Sequence, residues 1–237
     1  MYLEPCEGCL ETFARFQVLE MIMTFEILRA QVLSTAQAML AAGLTVGDSG
    51  NVSARVGNAE GRVLLAITPH GRYYDALSPD DIVVVDEEGE PVEGEGIPSA
   101  ELLLHAAVYR ARPDVGAVIH AHPPISSAMA VVGKPIPPIL EDQMIFLGGQ
   151  IEVAPHAMTG SEELVEHAVK ALGERNACLL ANHGALAVGA NLKAALVACQ
   201  YLEKLAMAFL YATWAGQVNV LSPEVVEAEK TFFRMRR

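Results

Sequence analysis

The sequence predicts a single α/β domain, and three observations indicate this fold class. Segments with apolar residues at helical spacing alternate along the chain with short apolar runs that are typical of strands. Hydrophobic residues make up 52% of the 237 residues and charged residues 19%, which is enough apolar material for a sizeable core. The sequence contains no repeat or low-complexity tract. We therefore expect one α/β domain of ordinary globular composition.

The first half of the chain begins with a predicted helix over residues 25–42, with Gly43 as its C-cap. Strands are predicted over residues 52–56, 63–68 and 82–86, because these apolar runs are separated by turn residues. A helix over residues 100–111 follows, with Ser99 as its N-cap. Residues 1–24 are expected to form an extension that is not part of the core, and residues 25–237 to form the domain.

The second half continues the alternation. A strand is predicted over residues 115–121, followed by a short helix through residue 131 and a helix over residues 162–172 that Ser161 opens. Strands over residues 178–181 and 185–188 precede a long helix over residues 193–215, capped by Asn191, and a last helix follows Pro223. The segments between these helices and strands contain turn residues, which also indicates an α/β fold.

Charge and composition restrict the partners. The formal net charge is −13, so a nucleic acid or an anionic membrane would be repelled, and we expect neither as a partner. The two longest apolar stretches are interrupted by charged residues, and the N-terminus does not resemble a secretory signal. Four scattered cysteines do not indicate a disulfide framework. We expect a cytoplasmic protein that acts on a small molecule.

Three histidines form the most informative pattern. His120 and His122 stand two residues apart at the end of an apolar strand, so both imidazoles should face one side of the sheet. Alone, such a pair is also typical of structural histidines. His183 follows a second apolar run and precedes Gly184, which permits a sharp turn. Three converging imidazoles are a ligand set for a catalytic divalent metal such as zinc, although Mn, Fe or Co would also bind.

Glu101 is the candidate acid/base beside this metal. It starts the predicted helix that leads, through Pro113, into the strand of His120. A glutamate in a first helical turn also occurs simply to complement the helix dipole. Beside a cation and partly buried, its carboxylate would suit proton transfer. His105, one turn further along this helix, is expected to be a hydrogen-bonded residue near the site.

Five short motifs occur in order along the chain: Gly50-Asn51-Val52-Ser53-Ala54-Arg55, Ile67-Thr68-Pro69-His70-Gly71, Pro98-Ser99-Ala100-Glu101, Val118-Ile119-His120-Ala121-His122 and Leu180-Ala181-Asn182-His183-Gly184. Together, in this order, they resemble the class II aldolase/adducin family. The resemblance covers about residues 28–235. It implies a three-layer α/β/α catalytic domain with a central, largely antiparallel or mixed sheet. It also implies a homotetramer with active sites between subunits.

The resemblance also implies the activity, a metal-dependent retro-aldol cleavage of a sugar phosphate or a related hydroxyketone, as in L-fuculose-phosphate aldolase. His120, His122 and His183 would be the zinc ligands and Glu101 the catalytic acid/base. The substrate anion would lie against a larger set of residues in three of the motifs, namely Asn51, Thr68, His70, Gly71, Ser99 and Ala100. Backbone amides at a glycine turn and at a helix N-terminus suit this task.

The chain departs from the family pattern in three places. His70 stands where the family usually has Ser or Thr, Ala100 replaces the second serine of Pro-Ser-Ser-Glu, and residues 139–144 contain no tyrosine where the aldolases use one. These changes widen the expected substrate beyond fuculose phosphate. A decarboxylase or an epimerase on the same metal site is the alternative enzyme. An adducin-like assembly domain without catalysis is the alternative of another class.

Overall fold

The structure is a computed structural model that describes residues 7–59 and 62–236, and within them it contains one eight-stranded mixed sheet. The strand order is β4-β3-β2-β1-β5-β8-β7-β6. All neighbouring strands are antiparallel except β6 and β7, which are parallel. The strand bounds are β1 Asn51–Ala59, β2 Arg62–Ile67, β3 Val83–Asp86, β4 Pro91–Glu93, β5 Ala117–Ala121, β6 Val153–Ala154, β7 Ala177–Leu180 and β8 Gly184–Gly189.

Helices cover both faces of the sheet, which confirms the three-layer α/β/α expectation. The helix bounds are α1 Glu7–Ala41, α2 Leu102–Ala111, α3 Pro124–Val132, α4 Glu141–Leu147, α5 Glu162–Leu172, α6 Leu192–Ala215 and α7 Pro223–Arg236, with short 3-10 turns at Tyr74–Ala76 and Pro79–Asp81. One apolar core joins α1, α3 and α6 to the sheet. The other joins α2 and α5 to the opposite face.

Alternation along the two central strands decides which side chains reach the site. In β5, Ile119 and Ala121 belong to the core under α1 and α6, whereas Val118 belongs to the core under α2 and α5. Because side chains alternate along a strand, His120 points to the α2 side of the sheet. In β1, Val52 likewise packs on the α1 side. The neighbouring Asn51 and Ser53 therefore point towards α2.

Several boundaries differ from those predicted. Helix α1 begins at Glu7, so residues 7–24 of the predicted extension form its first turns, while residues 1–6 lie outside the described residues. Ser99 is not the N-cap of α2, because Glu101 occupies that position. The short elements α4, β4 and β6 have too few residues for a detectable periodicity, which is why the sequence analysis did not predict them.

Helix α6 is long and apolar enough to cross a membrane by length and composition alone. In the structure it packs on β5 and β8, with Leu202 and Leu205 fully buried. Its Glu203 carboxylate accepts hydrogen bonds from the backbone N–H groups of Ile125 and Ser126, at 2.9 and 2.7 Å. These contacts are those of a core helix of the domain.

Candidate metal centre and active site

The three predicted histidines converge at the C-terminal end of β5, an interior strand of the sheet. His120 lies in β5 and His122 follows its last residue. His183 lies in the tight turn between β7 and β8, next to Asn182, whose φ of 55° is left-handed. This turn lies beside the end of β5, because Ala121 of β5 pairs with Ala185 of β8 and Leu180 of β7 pairs with Gly184 of β8. Two separate strand ends thus supply one cluster.

The geometry of the cluster fits a divalent cation. One ligand atom from each of His120, His122 and His183 lies within 4.8 Å of the others. The Nε2 atoms of His120 and His122 are 2.8 Å apart. His120 Nδ1 lies 3.0 Å from the carbonyl oxygen of Ala185 and donates to it, which leaves Nε2 with its lone pair directed into the cluster. A backbone acceptor of this kind is the usual outer partner of a metal-binding histidine.

Burial keeps these rings in the form that binds metal. Burial lowers the pKa of His120 well below its usual value, and the nearby His122 and His183 lower it further. The pKa of His122 is lowered in the same way, by burial first and then by His183. Both rings are therefore neutral at neutral pH. A neutral imidazole has the free nitrogen lone pair that a metal ion needs.

Glu101 is the carboxylate of the cluster. It is 7% exposed, at the N-cap of α2. Its Oε2 lies 3.2 Å from His120 Nε2, and its Oε1 lies 3.5 Å from His183 Nε2. Oε2 also accepts a hydrogen bond of 2.8 Å from Asn51 Nδ2, whereas Oε1 has no hydrogen-bond partner among the described residues. A buried carboxylate oxygen without a partner beside three imidazoles points to a bound cation or a reacting group.

The predicted anion-binding segments lie side by side next to Glu101. The Ser99 backbone N–H donates to the Thr68 carbonyl at 3.2 Å, and Pro69 and Pro98 form a β-bridge. Thr68 is fully buried, and its hydroxyl accepts from the Val52 N–H at 3.2 Å. Its hydroxyl therefore supports the loop.

The exposed part of these segments presents backbone donors. Gly71 has a φ of 64°, and both Gly71 and Ala100 are exposed. Within the described residues, the N–H groups of these two residues form no hydrogen bond. His70 is exposed as well, and it lines a groove together with Arg29 and Arg72. The hydroxyl of Ser99 is occupied, since it accepts from the Glu101 N–H at 3.3 Å.

The comparison with protein families agrees with the geometry. The family model described as Class II Aldolase and Adducin N-terminal domain matches residues 30–210, about three quarters of the chain. The chain belongs to this family. The matched residues include all three histidines and Glu101.

Proteins named as sugar-phosphate aldolases are similar to this chain over most of its length. The 5-methylthioribulose-1-phosphate/5-deoxyribulose-1-phosphate aldolase of Rhodospirillum rubrum is 37% identical over 203 residues, covering 86% of this chain and 87% of that protein. The L-fuculose phosphate aldolase of Escherichia coli is 38% identical over 210 residues, covering 86% and 95%. A solved L-fuculose 1-phosphate aldolase superimposes with a TM-score of 0.82 at 34% identity, covering 87% and 96%. The chain is thus a lyase of the class II aldolase type.

Two features of the site were not predicted from the sequence. The Asn51 amide is hydrogen-bonded to Glu101 and, through its oxygen, to His105 Nε2 at 2.5 Å. The Ser53 hydroxyl is hydrogen-bonded to His105 Nδ1 and to the Tyr109 hydroxyl, on the side of His105 away from Glu101. The expectation that His105 is a hydrogen-bonded helix residue near the site is confirmed. The i, i+4, i+8 spacing of Glu101, His105 and Tyr109 on one helix was the available signal.

Proposed function

We propose that this enzyme binds zinc on His120, His122 and His183 and cleaves a ketose 1-phosphate by retro-aldol chemistry, with Glu101 as its acid/base. The observation that carries the proposal is the convergence of three imidazoles and one carboxylate at neighbouring strand ends. Three imidazoles leave a coordination position open, which is characteristic of catalytic zinc. Mn, Fe or Co would fit the same donors.

The bound metal would polarise the substrate carbonyl and stabilise the negative charge that remains when the carbon–carbon bond breaks. The residues around it hold and move the proton. Cleavage requires the hydroxyl on the carbon beyond the breaking bond to lose its proton as its oxygen becomes the aldehyde carbonyl, and it leaves an electron pair on the ketone-derived carbon that must receive a proton. Glu101 would take up the hydroxyl proton and return it to that carbon. Glu101 Oε1 is free for this transfer, because Asn51 holds only Oε2. Because Glu101 is buried, with 7% of its surface exposed, bulk water has little access to this carboxylate.

The phosphate would bind where the two exposed backbone donors lie. The free N–H groups of Gly71, at a left-handed glycine, and of Ala100, just before α2, would donate to the phosphate oxygens. The Asn51 side chain retains one N–H for the substrate after donating to Glu101. His70 would replace a hydroxyl donor with a longer, ring-nitrogen donor. Thr68 and Ser99 would shape this loop from behind.

The names of the relatives define a substrate class. The named substrates are all ketose 1-phosphates: methylthioribulose 1-phosphate, deoxyribulose 1-phosphate and fuculose 1-phosphate. Each has a phosphate on C1, a ketone at C2 and a hydroxyl on C4, so that retro-aldol cleavage breaks the bond between C3 and C4. Retro-aldol cleavage of each yields dihydroxyacetone phosphate and an aldehyde that ends in a methyl or methylthio group. We propose that this enzyme shares the dihydroxyacetone phosphate half and accepts a short aldehyde with such an apolar end.

The proposal includes a cytoplasmic homo-oligomer, as a tetramer. Trp214 and Tyr211, near the C-terminal end of α6, are 86% and 55% exposed, and large exposed aromatic side chains favour subunit contacts. A decarboxylase or epimerase would use the same metal and carboxylate, so only product analysis separates these reactions. An assembly domain without catalysis would need neither the converging imidazoles nor a buried carboxylate beside them.

The decisive experiment measures metal content and cleavage together. Purified protein should contain about one divalent ion per chain. It should form dihydroxyacetone phosphate from 5-deoxyribulose 1-phosphate or fuculose 1-phosphate. In the condensing direction, dihydroxyacetone phosphate should react with acetaldehyde or lactaldehyde at least about 100-fold faster than free dihydroxyacetone, because phosphate binding energy is used in the transition state.

Two variants control the experiment. His120→Ala should lose both the metal and the activity. His167→Ala should keep both, because this half-buried residue of α5 contacts the carbonyl of Pro155 and does not belong to the three-histidine group. A wild-type protein that contains the metal but cleaves none of these ketose phosphates would contradict the proposed reaction. Release of carbon dioxide from a keto acid would favour the decarboxylase instead.

A further inference from the structure

A continuous chain of hydrogen bonds extends from Glu101 into the interior between α2 and β1. Asn51 Nδ2 donates to Glu101 Oε2 at 2.8 Å, and the Asn51 oxygen lies 2.5 Å from His105 Nε2. His105 Nδ1 lies 2.6 Å from the Ser53 hydroxyl, which lies 2.8 Å from the Tyr109 hydroxyl. Five side chains are thus connected in a row.

The row follows from two periodicities that match each other. Glu101, His105 and Tyr109 are four residues apart and lie on one face of the helix. Asn51 and Ser53 are two residues apart and lie on one face of β1. The helix and the strand therefore contribute alternating members. His105 and Ser53 are 0% exposed, and none of the five exceeds 7%, so water does not compete for these bonds.

The donors and acceptors can be arranged in only one direction if Glu101 is ionised. A carboxylate only accepts, so Asn51 presents its NH₂ group to Glu101 and its oxygen to His105. His105 must then carry its proton on Nε2, and its Nδ1 accepts from Ser53. Ser53 in turn accepts from Tyr109. Each donor in the row therefore points towards Glu101.

His105 is held neutral in this row. Its burial lowers its pKa to about 3, although the nearby Glu101 opposes the shift. A neutral ring with one proton fits this row, because its Nε2–H donates to Asn51 and its Nδ1 accepts from Ser53. His105 therefore acts as a fixed donor on the Asn51 side and a fixed acceptor on the Ser53 side.

We propose that His105 is a positioning residue for the reaction, because it fixes the orientation of the Asn51 amide and thereby the orientation of the Glu101 carboxylate. Without the His105 N–H, the Asn51 amide can flip and place its oxygen against the Glu101 carboxylate. The two oxygens repel each other, and the carboxylate is no longer held in one orientation. With the N–H in place, Oε2 is held and Oε1 is the oxygen left for proton transfer. The inference rests on the proposed role of Glu101.

The direct test compares two substitutions in the metal-loaded enzyme. His105→Phe keeps the approximate shape of the ring but removes the donor, and kcat should fall about 10- to 100-fold, as is usual for the loss of an outer partner. Metal content should stay within about twofold, because no proposed metal ligand is touched. KM should rise by a smaller factor than kcat falls, because only one of the proposed phosphate donors, the Asn51 N–H, depends on His105. His105→Gln places an amide N–H where Nε2 lies and should restore kcat to within about fivefold of wild type.

A cycle with Glu101→Gln separates positioning from a general structural role. If His105 acts through Glu101, His105→Phe should cause no further loss of kcat in the Glu101→Gln enzyme, which single-turnover measurements can follow. If His105→Phe prevents folding, His105→Asn serves instead, since its shorter amide remains polar but does not reach Asn51. It should show the same loss.

The outcomes distinguish the inference from the proposed function. An equal loss from His105→Phe in both backgrounds would overturn the positioning role, while the loss caused by Glu101→Gln alone would still support the proposed function. A fall in metal content in parallel with kcat would also overturn the positioning role. Full activity of Glu101→Gln would instead remove Glu101 from the mechanism, and the inference with it.

Discussion

Gly184 is the position where a single added methyl group should disable the metal centre. It opens β8, immediately after His183. A Cβ atom at this position would lie 2.6 Å from the carbonyl oxygen of Ala121 and 2.6 Å from Cδ2 of the His122 ring. Gly184→Ala would therefore push directly on a metal ligand and on the strand that carries it.

The size of the effect follows from these distances. An ordinary carbon contact begins at 3.4 Å, so the two neighbours must each move by about 0.8 Å. The distance between a metal ion and a histidine nitrogen can change by only about 0.2 Å before the bond is lost. His122 would leave its coordinating position, and metal affinity should fall at least about 100-fold, the upper end of the loss for an outer partner. Overpacking should also lower the free energy of unfolding by about 1–3 kcal/mol.

The assay is a metal titration with a melting curve on the same sample. Gly184→Ala should be nearly metal-free after dialysis at a zinc concentration that saturates wild type, and its metal-free Tm should fall by about 2–12 °C. Gly116→Ala is the matched control, because its Cβ would meet the backbone carbonyl of Ala190 even more closely, away from the histidines. The control should lose stability but keep its metal.

Normal zinc affinity in Gly184→Ala would refute the reasoning, because the backbone would then have absorbed the methyl group without moving His122. Equal metal loss in Gly116→Ala would refute it as well. The loss would in that case reflect general destabilisation and not the displacement of a ligand.

Three further predictions concern the metal, pH and helix α3. A chelator should lower the Tm, because the proposed metal would bind only the folded state and would contribute about 4 kcal/mol at 1,000 times its Kd. Calorimetry should show no such shift in His120→Ala. For the metal-free protein, burial lowers the pKa of His105 to about 3, so the folded state binds this proton later than the unfolded state does. The stability that this lowered pKa gives the folded state is fully present above pH 6.5 and is lost as the pH falls from about 6.5 towards 3. The Tm of wild type should therefore fall more between pH 7 and pH 5 than the Tm of His105→Gln. Glu203→Gln should lower the free energy of unfolding by about 1–3 kcal/mol in urea titrations, because Oε2 accepts from both the N–H and the hydroxyl of Ser126; an unchanged midpoint would contradict this role of Glu203.

Much of the candidate site could be predicted because its signals are local. The two-residue spacing of His120 and His122 on an apolar strand directs both rings to one face, whatever the rest of the fold does. The short motifs around Glu101 and His183 carry the family resemblance, and the family comparison confirms that membership. The three-layer architecture follows from the same resemblance and is confirmed by the two cores.

The partners of Glu101 could not be predicted from local patterns. Asn51 and Glu101 are 50 residues apart, and their contact depends on the pairing of β1 with β5, in which Asn51 faces His120. Strand pairing is decided by how all apolar faces are buried together, and no single segment encodes it. The capping position of α2 is another example, because Glu101 occupies it where the sequence favoured Ser99.

The sequence by itself determined which residue types form the candidate metal centre, which strand ends carry them and to which family the chain belongs, since each of these signals lies within short motifs of neighbouring residues. Only the tertiary structure decided that α2 lies over β1 with Glu101, His105 and Tyr109 facing Asn51 and Ser53. The physical reason is that a hydrogen bond requires two atoms to be within about 3 Å, and such contacts between distant segments exist only after the sheet and its covering helices have packed.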